Sequence, residues 1–350
     1  MSGAGANERK SAAIGLLSQG DLLDADGSLD ESGYAFSQVK TYDRSKIKAN
    51  KLRIKEWDYY CFGDDKYMIA LTIADNSYMS LGSVSVLDFV HLRFVTKSKI
   101  GLMPRGGLKL PPTCETGDVT FEKGGLKLTF INRNGARILR ATFERFIKKQ
   151  DFSCEIELEP YSGDNITVAI PFDKPRRFYY NTKINCLKGT GSFRIGDERH
   201  EFSNGMGGLD WGRGVWTYKN TWYWSSMSTS IDGVPFGFNL GYGFGKPLAS
   251  ENTLFYNGKA HKLDKVTFDI PFTQGELDYL KPWKISDDKD RLQLMFSPMI
   301  DRQDRMNVGV LSTDQHQVFG RFYGKATLDD GTIIDIADRI GFAERVVNKW

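Results

Sequence analysis

Histidine and cysteine are scarce in this chain, and neither is grouped. The four histidines (His91, His200, His261 and His316) contain no pair at metal-ligand spacing, and Cys61, Cys114, Cys154 and Cys186 contain no Cys-x-x-Cys. A zinc site is not expected, no metal ligand is assigned, and the thiols read as free groups of a reducing compartment. No run approaches the roughly 20 consecutive apolar residues that cross a bilayer. Residues 1–19 also lack the apolar core of a signal peptide, so a soluble, cytoplasmic protein is expected. An excess of one charge is missing as well. With 47 basic and 44 acidic residues the net charge is +3, and the basic stretches 46–55 and 145–149 are interrupted by apolar residues. These features give no reason to expect a nucleic-acid partner. There is no Gly-x-Gly-x-x-Gly or Walker loop between a strand and a helix, and no Gly-x-Ser-x-Gly elbow. Nucleotide, dinucleotide and serine-hydrolase chemistry are excluded, and no cofactor is implied.

Helical periodicity is also sparse; only residues 9–19 and 342–350 plausibly coil, as short terminal helices. Alternating or β-rich runs recur at 67–73, 126–131, 138–143, 152–158, 166–170, 222–229, 266–270, 292–296 and 332–336. Asn134-Gly135, Asp232-Gly233, Asn257-Gly258 and Asp330-Gly331 mark tight hairpins. The expected fold class is all-β, built from antiparallel barrel or sandwich units. The polar, proline-bearing stretch 173–177 suggests a junction, with a flexible start at 1–15 and β units at 16–175 and 176–350.

The least ordinary chemistry lies between positions 207 and 243. Gly207-Gly208-Leu209-Asp210-Trp211-Gly212-Arg213-Gly214-Val215-Trp216 is followed by Trp222-Tyr223-Trp224, so four of the seven tryptophans fall here. The Asp232-Gly233 turn fixes a register that pairs Ile231 with Val234, Ser226 with Asn239 and Trp224 with Gly241. One face then carries Trp222, Trp224, Ser226, Ser228, Gly237, Asn239 and Gly241, and the other Tyr223, Met227, Phe236, Phe238, Leu240 and Tyr242. The second is an ordinary core face. The first sets indoles opposite glycines and adds hydroxyls and an amide, which is how a ligand-contacting wall is composed. The plainer alternative is that the indoles fill the gap above the glycines.

Asp210 and Arg213, three residues apart, read as an ion pair held among aromatic walls, retained for orientation or chemistry. If a ligand separates them, Asp210 loses its compensating charge and becomes a candidate proton donor. Glu251-Asn252 offers a second carboxylate and an amide, and His316 a titratable imidazole. A lone histidine on a strand more often serves packing than catalysis.

The motifs Asp210-Trp-Gly-Arg-Gly-Val-Trp216, Trp222-x-Trp224, Gly237-x-Asn239-Leu-Gly241, Glu251-Asn252, Pro282-Trp283, Phe296-x-Pro298, His316-Gln317-x-Phe-Gly320 and Gly341-x-Ala-Glu344 span most of the chain. Together they resemble the domain-of-unknown-function family 2804. That family is more remotely similar to the tandem lipocalin-like carotenoid hydratases and tocopherol cyclases. The resemblance implies two lipocalin-like units and a hydrophobic small molecule as partner. Three functions compete on this reading. The first is binding of a lipid or isoprenoid-like molecule, with Trp211, Trp216, Trp222, Trp224, Asn239 and Asn252 around it. The second is acid-catalysed hydration or cyclisation of an alkene, with Asp210 as donor and Arg213, Glu251 and His316 in support. The third is a protein- or glycan-interaction module that uses exposed aromatics. All small-molecule readings require a ligand-sized space beside the indoles.

Overall fold

The computed structural model describes residues 15–133, 135–246 and 249–350. Among them the chain is all-β, and its helical elements are two single 3-10 turns, Arg44–Lys46 and Lys51–Arg53. Among the described residues no helix is long and apolar enough to cross a membrane. The first half lays down β1 (Gly15–Leu16), β2 (Gly20–Asp21), β3 (Gly33–Ala35), β4 (Lys40–Thr41), β5 (Ile54–Gly63), β6 (Tyr67–Asp75), β7 (Met79–Asp88), β8 (Arg93–Leu102), β9 (Val119–Lys123), β10 (Leu126–Arg133), β11 (Ala136–Ile147), β12 (Gln150–Leu158), β13 (Ile166–Pro171), β14 (Phe178–Ile195) and β15 (Glu198–Val215). The remainder forms β16 (Lys219–Ile231), β17 (Val234–Tyr242), β18 (Thr253–Tyr256), β19 (Lys259–Lys262), β20 (Val266–Asp269), β21 (Phe272–Thr273), β22 (Glu276–Leu277), β23 (Trp283–Asp287), β24 (Leu292–Val308), β25 (Leu311–Thr327) and β26 (Ile333–Lys349).

The main path of the first sheet is β8-β7-β6-β5-β15-β14-β12-β11-β10-β9, with β13, β3 and β1 attached beside β14. The second runs β19-β18-β17-β16-β26-β25-β24-β23-β20. Both sheets follow one plan: a four-strand meander whose first strand, β5 or β16, pairs with the last strand of its own sheet, β15 or β26. Because β14 and β15 pair within the first sheet, the chain changes sheets at 216–218, beyond the expected junction at 175/176.

Burial follows the two-residue strand period. On β12 the pattern puts Phe152, Cys154, Ile156 and Leu158 inside, with exposed residues between them. One hydrophobic core fills the first sheet, around residues such as Phe62, Leu128 and Phe152, and another fills the second, around Phe238, Trp283 and Phe322. A third joins the facing sheets through Tyr59, Tyr179, Trp216, Trp224 and Phe342.

All the predicted strand runs fall on observed strands, except for residue 270 after β20 and residue 332 before β26. The expected C-terminal helix at 342–350 is corrected: residues 342–349 continue β26, which pairs with β16 on one side and β25 on the other, so sheet hydrogen bonds override helix propensity. Of the expected N-terminal helix, residues 9–14 lie outside the described residues, as does the flexible start except for Gly15, and Gly15–Leu16 is strand. Asn134 also lies outside them. Asp330-Gly331 sits in a longer connection, from Thr327 to Ile333, not in a two-residue hairpin. Asp232-Gly233 behaves as expected, with φ of 51° and 80°, and fixes the predicted register.

A Cβ built on Gly233 meets nothing within 4 Å, so a substitution there is penalised only by backbone conformation. Gly233→Ala is expected to lower unfolding free energy by about 1–2 kcal/mol in a urea titration and leave the denaturant dependence unchanged. A neutral effect would mean that the turn tolerates another conformation.

Candidate functional site

The site begins with β15, whose successive side chains point to opposite sides. Trp211, Arg213 and Val215 enter the interior of the first sheet. Arg213 is fully buried, with Nη1 2.9 Å from Asp58 Oδ1 and Nη2 donating to the Pro111 carbonyl at 2.9 Å. Its guanidinium lies 4.1 Å from the centre of the Trp211 ring. The predicted Asp210–Arg213 pair is therefore corrected: odd spacing on a strand separates the two residues, and Asp58 is the partner of Arg213. Burial raises the Asp58 carboxyl above its ordinary value, against the pull of Arg213.

Asp210 faces the second sheet. Its cross-strand neighbour on β14 is Lys183, whose Nζ lies 2.9 Å from Asp210 Oδ1. Asn181 Nδ2 donates to the same oxygen at 2.7 Å. Lys183 Nζ also sits 3.9 Å from the centre of the Trp224 ring, which belongs to the second sheet. Trp224 Nε1 donates to Asn239 Oδ1 at 2.7 Å, and Asn239 Nδ2 donates to the Glu251 carbonyl at 3.0 Å. The Glu251 carboxylate accepts from Tyr179 Oη at 3.0 Å.

A second arm runs from the strand neighbour of Trp224. Glu344 on β26 accepts from Trp222 Nε1 at 2.9 Å and from Gln317 Nε2 at 3.0 Å. Gln317 Oε1 in turn accepts from Arg302 and from Tyr59 Oη. Burial pushes the Glu344 carboxyl up to about 7, opposed by the Trp222 hydrogen bond and by Arg302 and Lys183. Burial also raises Glu251, opposed chiefly by Lys183. Two buried acceptors, Asn181 Oδ1 and Glu251 Oε1, have no donor.

Between these arms and the β16–β17 hairpin lies a recess lined by Tyr59, Lys183, Asp210, Trp224, Asn239 and Phe342, together with serine hydroxyls and the sulfurs of Cys61, Met68 and Met206. Its interior offers about 30 Å³ to a water-sized body, within about 420 Å³ of space that includes the open mouth. That is room for about two waters. The expected ligand-sized void is thus corrected. A Cβ on Gly237 would stand 2.8 Å from Cys186 Sγ, and one on Gly241 2.8 Å from the Phe244 ring. Side chains from outside the hairpin already occupy the space that its glycines leave.

A family model for a domain of unknown function, DUF2804, matches residues 14–350. The chain belongs to this family. No curated protein is significantly similar in sequence to this DUF2804 member. Among solved structures its fold is similar to a Nitrosomonas europaea protein carrying the provisional name AttH. The TM-score is 0.54 at 14% identity, over 89% of this chain and 98% of that one. It is also similar to kievitone hydratase from Nectria haematococca, with a TM-score of 0.50 at 11% identity over 89% and 96% of the two chains.

Of the residues singled out in this DUF2804 sequence, Asp210, Trp224 and Asn239 line the recess, and Glu251 and Trp222 lie directly behind it. The others sit elsewhere. Trp211 packs in the first interior against Tyr42 and Tyr180, and Trp216 belongs to a cluster with Trp57, Phe172 and Trp350. Asn252 braces a turn, accepting from Gly241 N and donating to the Asp264 carbonyl. His316 neighbours Gln317 on β25 and so faces away from it; it stacks on Tyr279 at 3.8 Å, with Nδ1 2.7 Å from Asp301. Sequence reasoning missed Tyr179, Asn181, Lys183 and Glu344. The period-two run Tyr179-x-Asn181-x-Lys183 was the available signal on β14.

Glu344 gives the site a pH signature. The folded protein keeps this proton up to about pH 7, while the unfolded chain releases it near 4.5, so folding binds a proton between those values. Stability therefore falls as pH rises through that window. Wild type is expected to lose about 3 kcal/mol more than Glu344→Gln between pH 4.5 and 7 in parallel urea titrations. Superimposable pH curves would show that Glu344 titrates normally.

Proposed function

We propose that the recess between the two sheets binds a small molecule with a substantial apolar part, packed against Trp224 and Phe342 and oriented by Asp210, Lys183 and Asn239. The observation that carries this reading is a charged pair buried beside a cavity, with unsatisfied acceptors around it. A buried ion pair contributes little or nothing to stability relative to well-packed apolar residues, and orphaned acceptors cost about 1–3 kcal/mol each. The pair lines the recess and is accounted for by a ligand that uses it, whereas the two acceptors stand behind the recess. Because the cavity as it stands has room for only about two waters, a ligand enters as the facing sheets move apart. The interaction-module alternative loses its premise, since Trp211, Trp216 and Trp224 are buried and Trp222 is half-buried.

A second reading, acid-assisted hydration or cyclisation of an alkene, is favoured by one observation: Glu344 is a buried carboxyl that holds its proton near neutrality. In this reading Glu344 replaces Asp210 as donor, because Asp210 is already engaged by Lys183 and Asn181. Glu344 gives its proton to one alkene carbon, and the indole faces of Trp222 and Trp224 stabilise the carbocation. For hydration, water then adds to the cationic carbon and its surplus proton passes to a carboxylate. Kievitone hydratase shares the fold, and a hydratase activity is consistent with this chemistry.

Native mass spectrometry of purified protein is expected to show a bound small molecule that is lost in Trp224→Ala. A protein of bare mass, with unchanged near-ultraviolet spectra on exposure to apolar compounds, would count against the site. Glu344→Gln is expected to retain the molecule and, in the second reading, to lose its conversion. Conversion at the wild-type rate would remove Glu344 as the donor, and absence of conversion by wild type would leave binding as the function.

A further inference from the structure

Along β14 the side chains of Tyr179, Lys183 and Asn185 reach Glu251, Trp224 and Ser226 in turn, so Tyr179 and Asn185 stand at opposite ends of the intersheet site. The two ends are closed differently. At the first, rings fill the layer: Tyr179 stacks on Phe244 at 4.9 Å and meets Trp216 at 5.6 Å. At the second, β14 carries a β-bulge in which Asn185 and Cys186 together stand opposite Gly208. The bulge puts Cys186 at a φ of 60°, a left-handed conformation that is costly for a residue with a Cβ. Its backbone N–H leaves the ladder and donates to Ser228 Oγ at 3.0 Å. Asn185 Nδ2 faces more acceptors than its hydrogens can serve, the nearest being Ser226 Oγ at 2.8 Å and the Phe238 carbonyl at 3.0 Å. The seat of the bulge is the hollow at Gly237, where a Cβ would stand 2.8 Å from Cys186 Sγ and 3.5 Å from Asn185 Cβ. Asn185, Gly208, Ser226 and Ser228 also line the recess.

We propose that the Asn185–Cys186 bulge is the latch of the recess, and that the intersheet layer opens from this end, the bulge leaving the Gly237 hollow while both sheets stay folded. This rests on the small-molecule reading above for what enters, but the opening itself is measured without a ligand. Withdrawing the bulge gives up polar contacts that water replaces, lets the Cys186 backbone relax, and uncovers a thiol and a glycine. Parting the Tyr179 end instead exposes the rings of Trp216 and Phe244. The bulge end therefore gives way first.

The chain's own thiols report the opening. Cys61 lines the recess, Cys186 sits in the bulge and Cys154 lies within the β11–β12–β14 ladder, and all three are 7–8% exposed. Burial raises the Cys61 thiol to about 11 and the other two to about 12, so a maleimide reaches each only through an opening. In labelling with N-ethylmaleimide in sub-denaturing urea, read by peptide mass spectrometry, Cys186 and Cys61 are expected to react at least about tenfold faster than Cys154. Their rates are also expected to depend less on urea, because a local opening exposes less surface than unfolding. Asn185→Ala is expected to speed Cys186 and Cys61 by about fivefold. Ile73→Val, in the core of the first sheet, eases global unfolding alone and is expected to speed Cys154 but not Cys186. Reaction of Cys186 in step with Cys154, with the same urea dependence and the same response to Ile73→Val, would overturn the latch and leave the binding reading standing. Cys186 labelling that Asn185→Ala does not change, or a fast Cys186 beside a Cys61 as slow as Cys154, would overturn it too. The expected labelling in a protein whose native mass shows no bound molecule would keep the latch and count against the binding reading alone.

Discussion

The extended backbone of β15 has two sides, and both are interiors. On one side Trp211 and Arg213 complete the core of the first sheet, with the guanidinium laid on the indole, Nη1 beside Asp58 and both Nη groups donating to backbone carbonyls. On the other side Asp210 opens the polar arm that meets the second sheet. The glycines of the strand follow from the same constraint. A Cβ on Gly212 would stand 2.1 Å from the Trp57 ring, so that position is empty to admit an indole lying across it. The Asp-Trp-Gly-Arg-Gly string thus combines structural packing on one face with a residue that lines the intersheet recess on the other.

Energetically, the intersheet layer is an unusual place for so much polarity. Tyr59, Tyr179, Trp222 and Trp224 each spend a polar atom on the network, and burial raises both tyrosine hydroxyls well above their ordinary range. Most of the network consists of donors aimed at carboxylates and amide oxygens, which holds each acid in one orientation. Rigid, partly unsatisfied polar groups cost stability and specify geometry. An apolar layer of the same volume would join the sheets at least as well, so the arrangement is explained by what it orients.

The fold was legible because its signals are local. Strand periodicity and the Asp232-Gly233 turn are written in adjacent residues, and a two-residue turn leaves no freedom in register. The hairpin faces followed, including Trp224 and Asn239 on the side toward the first sheet. Asp210 and Arg213 read as a pair because they are three residues apart, and the four glycines of 207–214 dilute the alternation that marks a strand. Had the stretch been read as strand, alternation alone would have parted them. Glu344 was hidden by composition: Ala343, Glu344 and Arg345 favour a helix, and only the two flanking strands, both remote from each other in sequence, hold them extended. Lys183 and Asn181 became visible only when β14 was set beside β15.

The position of the recess also decides how it can change volume. Widening the interior of a single sheet requires its strands to separate, which breaks ladder hydrogen bonds. Among the described residues no ladder joins the two sheets. Two backbone bonds that do cross, Asp164 N to the Gly258 oxygen and Lys246 N to the Pro171 oxygen, come from residues that do not line the recess. Beside the recess the sheets are fastened by side chains, among them Asn185, whose amide donates to Ser226 Oγ and to the Phe238 carbonyl. Each such bond contributes only about 1 kcal/mol net. Opening this layer leaves both sheets intact but parts some of the apolar core that joins them, so a larger guest is accommodated only where its own apolar surface covers what the sheets expose.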